Sequence, residues 1–221
     1  MTTPRESKAA LALLTDEAVA TAVGLLERFR GSAVTKRAAL LDGVPDLIGY
    51  YAEGSATLAA DFYEDQRELA GVRSAFAAEV VVLDRTEKIR RAVAWSAAPL
   101  ILDPDDILTA ASRLSEVVQP EVARPYRDTI LANRQNDPES AGWRRITAGG
   151  CKLCRMLADR GAVYRQATAT FAAHPSCRCT AQPVFKTDVG EEASVIQYVA
   201  SQRKRSPQQQ EALREYLAAF Y

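Results

Sequence analysis

Through the first 135 positions, apolar residues return at steps of three and four, the period of an α-helix with one buried face. Leu11, Leu14, Ala18, Ala22, Leu25 and Phe29 share such a face over residues 10–30, and Gly31-Ser32 ends it. A second helix over 33–42 should stop before Gly43-Val44-Pro45, because the residue preceding a proline avoids the α region. Pro45 can open one or two further helices reaching residue 70, with Leu58, Phe62, Tyr63 and Leu69 apolar and Gly71 as a C-terminal cap. Residues 72–98 pull two ways. Val80-Val81-Val82-Leu83 suits a buried strand, while the flanks Arg73–Glu79 and Arg85–Trp95 suit a helix, and helix is the expectation. Asp103-Pro104 caps and opens a helix to about Val118. Pro120 should break the chain, and 121–135 forms another helix, ending before Asn136-Asp137-Pro138.

The pattern changes at Trp143. Glycine pairs, cysteines and short apolar runs replace the helical period, and Val163-Tyr164 and Thr180–Phe185 read as short strands. Helices return over Val195–Arg203. Another opens at Ser206-Pro207, with Ala212, Leu213, Tyr216, Leu217 and Phe220 as its apolar stripe. The expected fold is mainly α: a helical domain over 1–142, a small α+β zinc-knuckle module over 143–186 and a C-terminal helical tail over 187–221.

Composition fits that outline. Hydrophobic residues make up 48% and charged residues 25%, ordinary for a globular chain, and abundant alanine favours closely packed helices. No unbroken run of about 18 apolar residues occurs, so no transmembrane helix is expected, and Met1–Lys8 does not read as a signal peptide. A reducing cytoplasm is the expected folding compartment, where four cysteines point to metal or chemistry rather than to disulfides. The zero net charge hides an asymmetry. Residues 1–142 carry a formal −6. Residues 143–186 carry +7, from Arg144, Arg145, Lys152, Arg155, Arg160, Arg165, Arg178 and Lys186 against Asp159.

That basic segment also holds every cysteine and the only histidine. The two-residue gap of Cys151-Lys-Leu-Cys154 lets both sulfurs reach one ion across a tight turn, and His174-Pro-Ser-Cys177-Arg-Cys179 is a second ligand cluster. Zinc takes four nitrogen or sulfur ligands at tetrahedral corners. Cys151, Cys154, His174, Cys177 and Cys179 are thus five candidates for four places on one structural Zn2+. Cys179 competes because Cys-x-Cys in an extended segment points both side chains to one face. Two other readings of the same residues are buried free thiols beside an ordinary histidine, and a Cys–His nucleophilic pair. Catalytic zinc would need an open position and a nearby acid or base, and Asp159 is the only carboxylate between residues 143 and 186.

Arg127-Asp-Thr-Ile, Asn136-Asp-Pro, Gly142-Trp-Arg-Arg, Cys151-x-x-Cys154, Leu157–Tyr164, His174-x-x-Cys177-Arg-Cys179-Thr and Pro183-Val-Phe185 together resemble the phage Mu F-like minor head proteins of actinobacterial phages. Ala60-Asp-Phe-Tyr63 with Arg67 is similar to the less specific N-terminal part of that family. The resemblance implies a low-copy virion component acting in head assembly, near the portal or on the inner capsid face. Its implied partners are the portal and major capsid proteins, and its implied location is the virion head, reached from the host cytoplasm during assembly. Some related proteins are labelled capsid maturation proteases. Here the sole histidine lies among the cysteines, which leaves no base for a serine or cysteine nucleophile if metal holds it, so no enzyme is expected. The basic segment raises a third reading, a zinc knuckle that binds packaged DNA, against the alternative that this face docks on the chain's own acidic N-terminal half.

Overall fold

A computed structural model describes residues 1–147, 151–161, 171, 177–189 and 206–220. The fold is mainly helical. In chain order the elements are α1 (Pro4–Arg28), α2 (Ala33–Leu69), α3 (Thr86–Ser96), α4 (Pro99–Leu102), α5 (Ile107–Asn136), β1 (Ser140–Ile146), α6 (Lys152–Asp159), β2 (Thr180–Phe185), α7 (Lys186–Val189) and α8 (Pro207–Phe220). The expected strand at Val163-Tyr164 and helix at Val195–Arg203 lie outside the described residues.

Helix α1 starts six residues before the apolar stripe suggested. Thr3 and Glu6 form a reciprocal capping box, and Pro4 takes the first helical position, where its missing N–H costs nothing. The buried stripe is Ser7, Leu11, Thr15, Ala18, Ala22 and Leu26, and it packs against α2 and α5. By length and composition alone α1 could cross a membrane. A core helix passes the same test, and here the stripe is spent on helix packing.

Two long helices run through Pro45 and Pro120, where the sequence suggests a boundary, while Pro125 falls inside a helix as expected. Helix α2 continues through Pro45 and α5 through Pro120 and Pro125. Each interior proline costs about 3 kcal/mol. Against that, Leu40, Val44, Ile48 and Tyr51 form one buried face across Pro45, and Leu114, Val118, Val122, Tyr126 and Ile130 form another across Pro120 and Pro125. A large apolar side chain gains roughly 1.5–3 kcal/mol on full burial, so either stripe outweighs its interruptions. Helix α5 opens at Ile107, later than expected, because Asp106 rather than Asp103 caps it by accepting from the Thr109 N–H at 3.2 Å. Helix α2 ends as the sequence suggests: Gly71 is left-handed at φ +70°, and the amides of Gly71 and Val72 bond to the carbonyls of Glu68 and Arg67.

The helix expected over 72–98 forms only from Thr86 onward. Residues 72–85 run as a non-helical strap along α5. Asn133 stands in for a neighbouring strand: its Oδ1 accepts from the Glu79 N–H and its Nδ2 donates to the Glu79 carbonyl, both at 2.7 Å. One turn earlier, the Thr129 hydroxyl accepts from the Val81 N–H at 3.1 Å and donates to the Val81 carbonyl at 3.2 Å. Side chains four apart on a helix thus satisfy backbone groups two apart on an extended segment.

The core has two main parts. One joins Ala18, Ala22 and Leu26 of α1, Leu40, Val44 and Ile48 of α2, Val93 of α3 and the first half of α5. The other joins Leu11, Phe62, Tyr63, Tyr126 and Ile130 to Trp143 of β1 and to Ala181 and Phe185 of β2. Strand β1, which the period of the sequence did not reveal, pairs antiparallel with β2, setting Trp143 opposite Pro183 and Arg145 opposite Ala181. The pair bulges between Ser140 and Gly142. Every residue of β2 is buried. This short ribbon closes the end of the helical bundle and carries the cysteine segment that enters β2.

Candidate metal centre

Four cysteines reach one place from two local structures. Cys151 is the N-cap of α6, and its sulfur accepts from the Cys154 N–H at 3.3 Å. The pair therefore sits at the first turn of a helix, with the Cys151 sulfur already engaged by a backbone amide. Cys177 and Cys179 lie just before β2 in an alternating segment: both are buried, and Arg178 between them faces outward. There Arg178 makes a two-pronged ion pair with Asp16 of α1, at 2.6 and 3.0 Å.

The sulfurs of Cys154, Cys177 and Cys179 all lie within 4.8 Å of one another, and each of these residues is 3% exposed. Cys151 is exposed and adjoins them through Cys154. His174 lies outside the described residues. Of the five expected ligands, three are thus gathered into one buried cluster with a fourth at its edge.

The cluster polarises its own protons. Hydrogen bonding from the Cys177 thiol, helped by Thr147, Cys154 and Arg145, outweighs burial and holds Cys179 well below the ordinary thiol range. Cys177 is pushed up, first because it donates to Cys179 and then by burial. Burial, with hydrogen bonds to Cys151 and Cys179, pushes Cys154 up to about 12. A divalent ion bound by these sulfurs would displace the thiol protons.

The residues around the sulfurs were not singled out as site residues by the cysteine spacing. Arg127 of α5 donates from Nε to the Cys179 carbonyl at 3.0 Å and from Nη2 to the Cys177 carbonyl at 2.6 Å. Gln119, two turns earlier on α5, donates to the Cys177 carbonyl at 3.2 Å. Arg145 of β1 brings Nη1 to 3.9 Å from the Cys177 sulfur. Phe171 stacks on Trp143 at 5.5 Å between ring centres, and the guanidiniums of Arg127 and Arg145 lie 4.8 and 3.9 Å from its ring centre. One signal could have revealed this wall: Gln119 and Arg127 share a helical face with Ala123, beside the apolar positions Val122, Tyr126 and Ile130. Polar side chains of that length on a core-facing stripe need buried partners.

A family model described as "VG15 protein" matches residues 2–205. The chain belongs to the VG15 family. VG15 proteins are products of phage virion genes, so the chain is phage-associated. The match spans both the helical bundle and the cysteine cluster. No curated protein and no solved structure matches the chain.

Proposed function

We propose that this VG15 protein is a minor head component of the phage virion. In this reading it acts in head assembly, near the portal or on the inner capsid face, and one zinc ion staples its cysteine segment to the helical bundle. Membership of a virion-gene family supports the setting. The motifs from Arg127 to Phe185 that resemble Mu F-like minor head proteins support the narrower role.

The observation that carries the metal is the buried group Cys154, Cys177 and Cys179, with Cys151 beside it. The donor set fits zinc, a borderline-soft ion that takes four such ligands. A structural rather than catalytic role follows from how the cluster is enclosed. Three of the sulfurs are buried, and the carbonyls between them are fastened to α5 by Arg127 and Gln119. Catalysis would need an open coordination position and a poised acid or base. We therefore assign no enzymatic activity, and a capsid maturation protease is the reading this proposal opposes.

Mass spectrometry of purified virions, combined with chemical cross-linking, tests the proposal. The expected result is a few copies of the chain per particle, cross-linked to portal or major capsid protein. Absence from mature virions would refute it. So would cleavage of capsid protein by the purified chain that a single Cys→Ser change abolishes without unfolding.

A further inference from the structure

The strap over residues 72–85 has two edges, and only one is occupied along its length. In an extended chain the N–H and C=O groups of successive residues point to opposite edges. Glu79 and Val81 present theirs to α5, where Asn133 and Thr129 bond them. Farther along, Arg85 closes on Glu121 of the same helix. Asn133, Thr129 and Glu121 lie at multiples of four along α5, with Pro125 between them, so the strap follows one ridge of that helix. The alternate residues face the other way. The Ala78 N–H reaches Glu64 of α2 at 2.9 Å. Beyond it, the backbone groups of Val80 and Val82 bond to nothing among the described residues. Val80, Val82 and Leu83 are also 50%, 43% and 59% exposed. An exposed apolar segment with a free edge is a template for a further strand.

Beside that edge the surface is hollow. A cavity of about 240 Å³ opens between the end of the strap and α2, lined by Ile48 and Ala52 of α2, Pro125 of α5, and Val82 and Leu83. Gly49 lines it too, and a Cβ built there would meet nothing within 4 Å. The space is smaller than the roughly 300–1,000 Å³ of a small-molecule site and suits a single aliphatic side chain. Its rim is acidic: Asp46, Asp84 and Glu121 line it with Arg85. Arg85 is engaged by Glu121 at 2.7 and 2.9 Å, with Lys88 4.0 Å from the same carboxylate. Asp46 has no hydrogen bond or ion pair among the described residues.

We propose that this groove between the strap and α2 binds an extended segment of a partner protein by β-strand addition. The partner's backbone pairs with Val80 and Val82, one of its aliphatic side chains fills the cavity, and a neighbouring lysine or arginine meets Asp46 and Asp84. Three observations select this occupant. The free strand edge calls for a polypeptide backbone, the size of the cavity for one side chain, and the acidic rim for a basic neighbour. The groove shares no lining residue with the cysteine cluster, so the proposal does not depend on the metal.

Selection from a random dodecapeptide library against the full chain tests it. The expected result is enrichment of peptides that combine aliphatic and basic residues and that protect the Val80 and Val82 amides from hydrogen exchange when bound. Gly49→Leu fills the cavity from a helix position that has room for it and should abolish this binding. Gly49→Ala, which adds only a methyl group and favours the helix, should retain it. Val82→Pro deletes an N–H that makes no bond within the chain and should raise Kd about 3–10-fold, the worth of one hydrogen bond. Asp46→Lys should weaken binding, most strongly at low salt. Failure to enrich any peptide, peptides whose binding survives Gly49→Leu, or a preference for acidic peptides would each overturn the proposal. A wild-type chain that dimerises in analytical ultracentrifugation while Gly49→Leu stays monomeric would assign the groove to a second copy, and would overturn the partner named here. Far-UV circular dichroism on each variant confirms that the helical bundle has folded.

Discussion

Replacing Asp137 by alanine should cost this fold about 3–5 kcal/mol, the usual penalty for stranding one partner of a buried ion pair. Asp137 follows the last residue of α5, and its side chain is fully buried. One oxygen accepts from Arg67 Nε at 2.7 Å and from the Tyr63 hydroxyl at 3.1 Å, and the other accepts from the Glu139 N–H at 2.9 Å. Arg67 in turn fastens the strap through the Ser74 carbonyl and hydroxyl and lies over Phe76. The alanine variant leaves the Arg67 guanidinium, whose side chain is 8% exposed, without its carboxylate. Tyr63→Phe removes a single hydrogen bond to the charged group and should cost only about 1.5–3 kcal/mol. The Asp137→Ala loss would consume at least about a fifth of the stability typical of a domain, which lies near 5–15 kcal/mol. Urea unfolding followed by circular dichroism, with the slope checked for constancy, measures each variant. The double variant Arg67→Met with Asp137→Ala should lose clearly less than the sum of the singles, because no charge is then stranded. A cost below about 1 kcal/mol for Asp137→Ala, or strict additivity in the double variant, would refute the reasoning.

Three further outcomes follow. Asn133→Ala should free the strap locally, so hydrogen exchange at the Glu79 amide accelerates well before global unfolding; unchanged protection would mean that Asn133 does not hold this segment. Burial, with Asp137 beside it, pushes the Tyr63 phenol far up, and burial does the same to Tyr126 despite its bond to Ser7. Their stabilising contribution is complete below the ordinary phenol value near pH 10 and is lost as pH rises toward their folded values. Two of the eight tyrosines should therefore resist ionisation in a 295 nm titration until the protein unfolds; eight phenols titrating together near pH 10 in the folded chain would contradict this. Arg178→Glu breaks an ion pair with Asp16 whose side chains are 48% and 53% exposed, so it should cost no more than about 1 kcal/mol, and a larger loss would show that Arg178 does more than pair.

The helices were legible where a stripe of apolar residues runs unbroken, as in α1, and where turn chemistry is local, as at Gly71 and at the Ser206 cap of α8. They were misread wherever a distant contact decides. Pro45 and Pro120 look like breaks because the cost of a proline is local, whereas the burial that offsets it comes from other helices. Residues 72–85 look helical because nothing in their own sequence shows that Asn133 and Thr129 will receive them. Strand β1 was missed because Trp143, Arg144 and Arg145 show no simple alternation, and Arg145 is buried against the cysteine cluster. At the site, cysteine spacing named the sulfurs and the core-facing stripe of α5 hints at Arg127, while Arg145 and Phe171 become visible only when α5, β1 and residue 171 come together in space. The charge asymmetry is partly resolved in the same way. Of the basic residues in 143–186, Arg178 meets Asp16, Lys186 approaches Glu139 at 3.9 Å, and Arg145 is buried.

The account stands or falls on the metal. Native mass spectrometry of the full chain, purified without chelator and compared with its acid-denatured mass, should show one zinc ion per folded molecule. Removing that ion with chelator should free the thiols to react and loosen the segment from Cys151 to Phe185. The helical signal of α1, α2 and α5 should largely survive, because their core does not depend on the cluster. A folded chain without metal, with its four thiols reduced and the cysteine segment still protected, would contradict the account.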